Sequence, residues 1–288
     1  MATRSEEVAR MLPRPLRAVL LVALLLLVLL PVVYMLFASV ASDLGVAAGH
    51  FLPDRLDLGN YRRIWSTTAL GRGLGNSIVV AGTVAVLCAF VSLLSAYVLV
   101  RFAFRGRLTV LRALLALQSV PGTLLLLPVF VLFSSAATLL GIEVIGTRWA
   151  LFLTYLTFGL PFSTWVMVTY LRGLPRELDE AARVDGAGSW VVLTRIVLPL
   201  SRPGLVVAAI FAFLLGWNDV LFASVLTDPR TRTAAVALQV FGATQEGGAI
   251  PVYGQLMAAA LICAVPVVAL YLIFQRYLLT GLTSGGVK

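Results

Sequence analysis

Charge is scarce in this sequence. Asp, Glu, Lys and Arg make up 12% of its 288 residues, about half the share of an ordinary globular domain. So few charges cannot cover a core with water-facing groups. Hydrophobic residues reach 60% and mean hydropathy is +0.99, so the solvent of this chain is mainly lipid. Cysteine and histidine are nearly absent: Cys88, Cys263 and His50 allow no metal-ligand cluster and no disulfide framework. Lysine occurs once. Lys288 makes no Lys-Ser/Thr pair after spaced glycines, so a phosphate-binding P-loop is excluded. Gly71-Arg72-Gly73-Leu74-Gly75 lacks a preceding strand and reads as a turn. Neither Gly-x-Ser-x-Gly nor His-Glu-x-x-His occurs. No enzyme active site, cofactor site or metal site is expected in this chain.

What is present is apolar length. A span needs about 20 apolar residues, and six runs qualify: 18–42, 78–100, 113–137 within the longer run 113–140, 149–171, 204–226 and 256–274. The expected fold class is an all-α membrane protein of six transmembrane helices. The first run follows Arg4, Arg10, Arg14 and Arg17 and precedes Ser39-Val40-Ala41, a small-residue stretch that could serve a signal peptidase. It is well beyond the length of a signal h-region and reads as an anchor. Pro31, Pro121, Pro128, Pro161 and Pro266 fall inside expected spans, where each removes a backbone hydrogen bond and predicts a kink. The segment 41–75 reads as a turn-rich, partly amphipathic outer stretch.

Orientation follows the basic residues. With the N-terminus inside, 15 of the 22 Lys and Arg residues fall on the cytoplasmic pieces, which places both termini in the cytoplasm. The net charge of +9 is spread between apolar runs rather than gathered on one patch, so nucleic acid is not the expected partner. Residues 1–17 and 275–288 are then the cytoplasmic ends.

One segment departs from the composition around it. Between the fourth and fifth runs, residues 172–203 hold nine charged positions in 32. Pro175 suits the start of a short helix through Val184, with Glu177, Asp179 and Glu180 at its positive dipole end and Gly186 capping it. A second helix, 189–197, is expected to end at Leu198-Pro199. With Leu178, Ala181, Ala182, Val191 and Ile196 turned inward, the pair reads either as a docking knob or as helices lying on the membrane.

The run Glu180-Ala181-Ala182-Arg183-Val184-Asp185-Gly186-Ala187, continuing to Ile196-Val197-Leu198-Pro199, resembles the EAA loop of permease subunits of binding-protein-dependent ABC importers. Asn76-Ser77, Ala96-Tyr97, Arg101-Phe102, Arg105-Gly106-Arg107, Trp217-Asn218-Asp219 and the tail 281–288 are similar to the carbohydrate-uptake, maltose-type branch of the shorter, six-span kind. The resemblance implies a non-catalytic subunit of a bacterial inner membrane. Its implied partners are a second permease, a dimer of cytoplasmic ATPases that bind ATP and Mg, and an extracytoplasmic solute-binding protein. The implied solute is a sugar, with glycerol phosphate or another solute as the alternative within the class.

Residue by residue, the resemblance implies ATPase coupling through Glu180, Ala181, Ala182, Asp185, Gly186, Ile196, Leu198 and Pro199. It implies that Thr283, Ser284, Gly285 and Lys288 of the tail reach the ATPase, against simple disorder. It further implies that Gln245, Glu246, Gly247 and Gly248 form a loop toward the binding protein. Asp219 is the one acid within the expected spans. With Trp217 and Asn218 it marks a pathway, a gate or a polar lock between helices. A self-sufficient secondary transporter is the competing class, and it would have to couple protons through Asp219 alone.

Overall fold

The computed structural model describes residues 13–245 and 252–283. Among them the secondary structure is helical, with an isolated bridge between Gly146 and Thr227 and no longer strand. Among the described residues, five helices are long and apolar enough to cross a membrane: Pro15–Ser39, Leu70–Arg101, Gly122–Leu140, Arg148–Arg172 and Tyr253–Tyr277. A sixth candidate is a pair, Ser189–Leu200 and Arg202–Asn218, bent by 74° at Ser201.

The chain forms two compact units, one of residues 1–68 and 241–262 and the other of 69–240 and 263–288. In the first, helix α1 (Arg14–Ser39) carries Pro31 inside it, and its most apolar 18-residue window is not buried at all. After it come α2 (Asp43–Ala47) and α3 (Gly59–Thr67), so the expected turn-rich stretch is in part helical. Ser42 caps α2, its hydroxyl accepting from Gly45 N at 3.0 Å and donating to the Asp54 carboxylate. That hydroxyl holds the exposed Asp54 carboxyl below its usual range.

A helix end leaves carbonyls without partners. At the end of α1 the fully buried Asn60 side chain answers them, donating to Ser39 O at 3.1 Å and Ala41 O at 3.0 Å. Asn60→Ala would orphan both carbonyls, at a cost of about 1–3 kcal/mol. The purified chain is expected to lose its monodisperse size-exclusion peak at a lower temperature than wild type; an unchanged temperature would show that water replaces the amide.

The second unit is built on three helices: α4 (Leu70–Arg101), α7 (Arg148–Arg172) and α10 (Arg202–Asn218). Small residues let their backbones approach, as van der Waals packing in lipid requires. A Cβ on Gly159 would lie 3.0 Å from Cys88 Sγ, and one on Gly216 would lie 3.0 Å from the Tyr155 ring. Val84, Cys88, Leu151, Tyr155 and Phe213 fill the core there. A second core toward the C-terminal end of α4 gathers Leu93, Tyr97, Met167, Leu171, Val192 and Val197.

Three expectations about the apolar runs need correction. The third run is two helices, α5 (Arg107–Gln118) and α6 (Gly122–Leu140), and Pro121 caps the start of α6 rather than kinking a span. Proline has no N–H to continue α5, and its fixed φ suits a helix entrance. The fifth run is also interrupted. Helix α10 ends at Asn218 with Asp219 extended, and α11 (Leu221–Leu226) follows. Third, Gln245, expected in the loop that follows this run, closes a helix instead, because α12 covers Ala234–Gln245. The last helix, α13 (Tyr253–Thr283), is longer than its apolar run.

Candidate functional site

The charge-rich insert folds as α8 (Glu177–Val184) and α9 (Ser189–Leu200). Glu177, Asp179 and Glu180 lie in the first turn of α8 and Arg183 in its last, each at the dipole end that favours it. Pro175 stands just before the helix rather than at its first position. Gly186 has φ +82°, a left-handed conformation that costs glycine nothing, and it turns the chain from α8 toward α9. Pro199 cannot close an α-turn onto Arg195, and the chain widens just before it into a π-turn, Leu193–Val197. Helix α9 therefore passes through Leu198-Pro199 instead of ending there.

The faces of this insert are not the expected ones. Leu178, Ala181 and Val191 face outward, Ala182 and Ile196 are half-buried, and an acid, Asp179, is the buried residue of α8. Its carboxylate Oδ2 lies 2.7 Å from Arg101 Nε at the end of α4. The Nε–H is not in line with the oxygen, so the contact is a charge pair rather than a hydrogen bond. Val184 and Trp190 are 87% and 65% exposed, apolar side chains left uncovered on a charged insert. Glu180 and Asp185 are exposed, Leu198 is half-buried and Pro199 exposed.

A cavity of about 310 Å³ lies where the two helix breaks meet. Gln118, Pro121 and Gly122 come to it from the α5–α6 break, Asp219 and Phe222 from the α10–α11 break, and Tyr155 and Phe158 from α7. Irregular backbone at membrane depth is tolerated where it lines a cavity, and broken helices are where many transporters hold their solute. A second cavity of about 370 Å³ shares Gln118, Phe158 and Leu215 with the first and adds Phe162, Ser163 and Phe211.

Within this arrangement Asp219 works as a cap. One carboxylate oxygen accepts from the Tyr155 hydroxyl at 2.7 Å and from Ala223 N at 3.0 Å; the other is 3.5 Å from Phe222 N. Trp217 is buried and stacked on Phe213 at 5.3 Å, and Asn218 is exposed. The three neighbours therefore part company: Asp219 lines the cavity, Trp217 packs the core and Asn218 points away from it. Gln118 and Phe158, which no sequence pattern singled out, join Asp219 there.

On the opposite end of α4, Asn76 Nδ2 donates to Arg230 O at 3.0 Å and Arg232 O at 2.8 Å, and Ser77 Oγ accepts from Ala234 N at 2.9 Å. Thr231 and backbone amides hold the half-buried Asp228 carboxyl below its usual range. These bonds seat the segment that leads into α12. Gln245 is the last residue of α12 and Thr283 the last of α13. Glu246, Gly247, Gly248, Ser284, Gly285 and Lys288 lie outside the described residues.

Residues 89–283 match the family described as "Binding-protein-dependent transport system inner membrane component". The chain belongs to that family. It is therefore a permease subunit of a binding-protein-dependent importer, a multi-pass protein of the inner membrane. It is 35% identical over 263 residues, 90% of this chain and 91% of the relative, to the trehalose/maltose transport system permease protein MalG of Thermococcus litoralis. To the diacetylchitobiose uptake system permease protein NgcG of Streptomyces coelicolor it is 32% identical, over 92% of this chain and 86% of that one. A crystal structure of a bacterial ABC transporter that imports the polysaccharide alginate shares the fold. Its TM-score is 0.75 at 21% identity, over 96% of this chain and 99% of that chain.

Proposed function

We propose that this chain forms half of the translocation pathway of an ATP-driven importer for a neutral sugar or oligosaccharide. The observation that carries the coupling half of this reading is α8 with its left-handed Gly186, beside the exposed Val184 and Trp190. A cytoplasmic ATPase seats on that knob: Glu180 pairs with a basic group of it, Ala181 and Ala182 allow close approach, and Asp185 and Gly186 shape the turn. Ile196, Leu198 and Pro199 carry the motion toward α10. ATP and Mg belong to the ATPase dimer, and hydrolysis takes place there.

A second permease completes the pathway and an extracytoplasmic binding protein delivers the solute. The chain then crosses the membrane six times with both ends in the cytoplasm, α10 and α11 together making the fifth crossing. Gln245 to Gly248 face the binding protein, and the tail from Thr283 reaches the ATPases.

The cavity between the helix breaks supports the solute class. Phe158 and Phe222 offer flat apolar faces of the kind a pyranose ring stacks on, and Gln118 offers an amide. Asp219 is the one ionisable acid in its lining, and no Arg or Lys joins it. An anionic solute finds no counter-charge in this lining, which favours a neutral one.

The experiment is purification of the tagged chain from its native host in mild detergent, with mass spectrometry of what accompanies it. A second permease, an ATPase and an exported binding protein whose ligand is a neutral oligosaccharide are expected. A chain recovered alone and still competent for gradient-driven uptake would replace this reading with secondary transport. A binding protein loaded with an anionic solute would overturn the neutral-solute reading, and one loaded with a non-sugar would overturn the sugar class.

A further inference from the structure

The coupling reading of α8 leaves open how a push on this short helix reaches the membrane core, and the inference that follows rests on that reading. Of the eight residues of α8, Asp179 is the buried one. Its partner Arg101 terminates α4, the helix that packs against both α7 and α10. The side chains of the pair are 4% and 8% exposed. Two bonds from side chains to backbone carbonyls bracket the contact: the Arg176 guanidinium donates to Val100 O at 3.2 Å, and Tyr97 Oη donates to Ser189 O, in α9, at 3.2 Å. The end of α4 is thus tied to the segment before α8, to α8 itself and to the start of α9.

A buried ion pair is a poor source of stability. Removing two charges from water offsets most of their attraction, and a well-packed apolar pair of the same volume is often tolerated as well or better. What it supplies is geometry. An apolar contact permits sliding, whereas two buried charges hold one register because every displacement exposes a charge to a low-dielectric surround. A helix that must transmit force rather than merely adhere has use for such a contact.

We propose that Arg101 and Asp179 are positioning residues that lock α8 to the end of α4 and transmit its movement into the helix core. The test uses the complete importer in liposomes, this chain with its partner permease, ATPase and binding protein. Two quantities are read: the yield of assembled complex, and solute transported per ATP hydrolysed. The double variant Arg101→Met with Asp179→Leu leaves no unpaired buried charge, so it is expected to assemble at wild-type yield while its transport per ATP falls at least tenfold. Arg101→Lys keeps the charge pair and is expected within twofold of wild type. A wild-type ratio in the apolar double variant would overturn the proposal. So would its failure to assemble, which would make the pair a folding staple, or a tenfold fall in Arg101→Lys. Glu180→Lys in the same liposomes separates the two levels: if it keeps the wild-type ratio, the coupling reading of α8 fails, whatever the ion pair does.

Discussion

Glu180→Lys is expected to lower solute uptake at least tenfold while the chain still inserts and accumulates in the membrane. Glu180 is exposed in the first turn of α8, so a lysine there costs the helix only the dipole term, about 0.3–1 kcal/mol. The folded chain absorbs that loss. Docking does not. A lysine brought to about 4 Å from a basic group of the ATPase meets a repulsion of about 4 kcal/mol at the effective dielectric of a protein surface. That is close to a thousandfold in binding. Glu180→Gln, which removes attraction without adding repulsion, should fall between the two. Measured uptake and ATPase co-purification should drop together; normal uptake by Glu180→Lys would remove this helix from the coupling path.

The second large effect is expected at Asp219, and its sign depends on the substitution. Asp219→Ala leaves the Tyr155 hydroxyl and the Ala223 N–H, now bonded at 2.7 and 3.0 Å, without an acceptor. Tyr155 is 2% exposed, so little solvent reaches its hydroxyl in exchange. Two orphaned donors at about 1–3 kcal/mol each outweigh the relief from deleting an acid at membrane depth, about 2.5–3.5 kcal/mol only when it sits charged at the bilayer centre. The yield of assembled chain should fall several-fold. Asp219→Asn keeps one acceptor oxygen and should retain most of the yield, with solute affinity unchanged. Tyr155→Phe combined with Asp219→Ala removes one of the two orphans and should recover part of the loss. An Asp219→Asn chain that assembles fully but no longer responds to solute would show instead that the carboxylate binds the cargo.

Much of the insert was legible because its signals are local. Nine charges in 32 residues mark a segment outside lipid, acids placed before apolar residues mark a helix start, and a glycine four residues past Ala182 marks its end. The left-handed φ of Gly186 follows from that spacing. Inward and outward faces were not legible. Hydrophobicity sent Leu178 and Val191 inside, yet both face outward while Asp179 is buried, because Arg101 on another helix neutralises the acid.

The apolar runs present the same contrast. Hydropathy marked where chain meets lipid but not where a helix breaks, since Asp219 and Pro121 interrupt runs that remain apolar on both sides. Trp217, Asn218 and Asp219 are adjacent in sequence and read as one patch. A helix turns about 100° per residue, so neighbours face different ways, and the extended backbone at Asp219 separates them further.

By itself the sequence determined the solvent of this protein and its helical class, and it marked a charged insert between two apolar runs. Each is a property of composition or short-range spacing, summed along the chain. Only the tertiary structure decided which polar groups meet: Arg101 with Asp179, Tyr155 with Asp219 and Asn76 with the carbonyls of Arg230 and Arg232. Those pairings join residues on different elements, and in a low-dielectric interior a buried polar group is tolerated only where such a partner arrives.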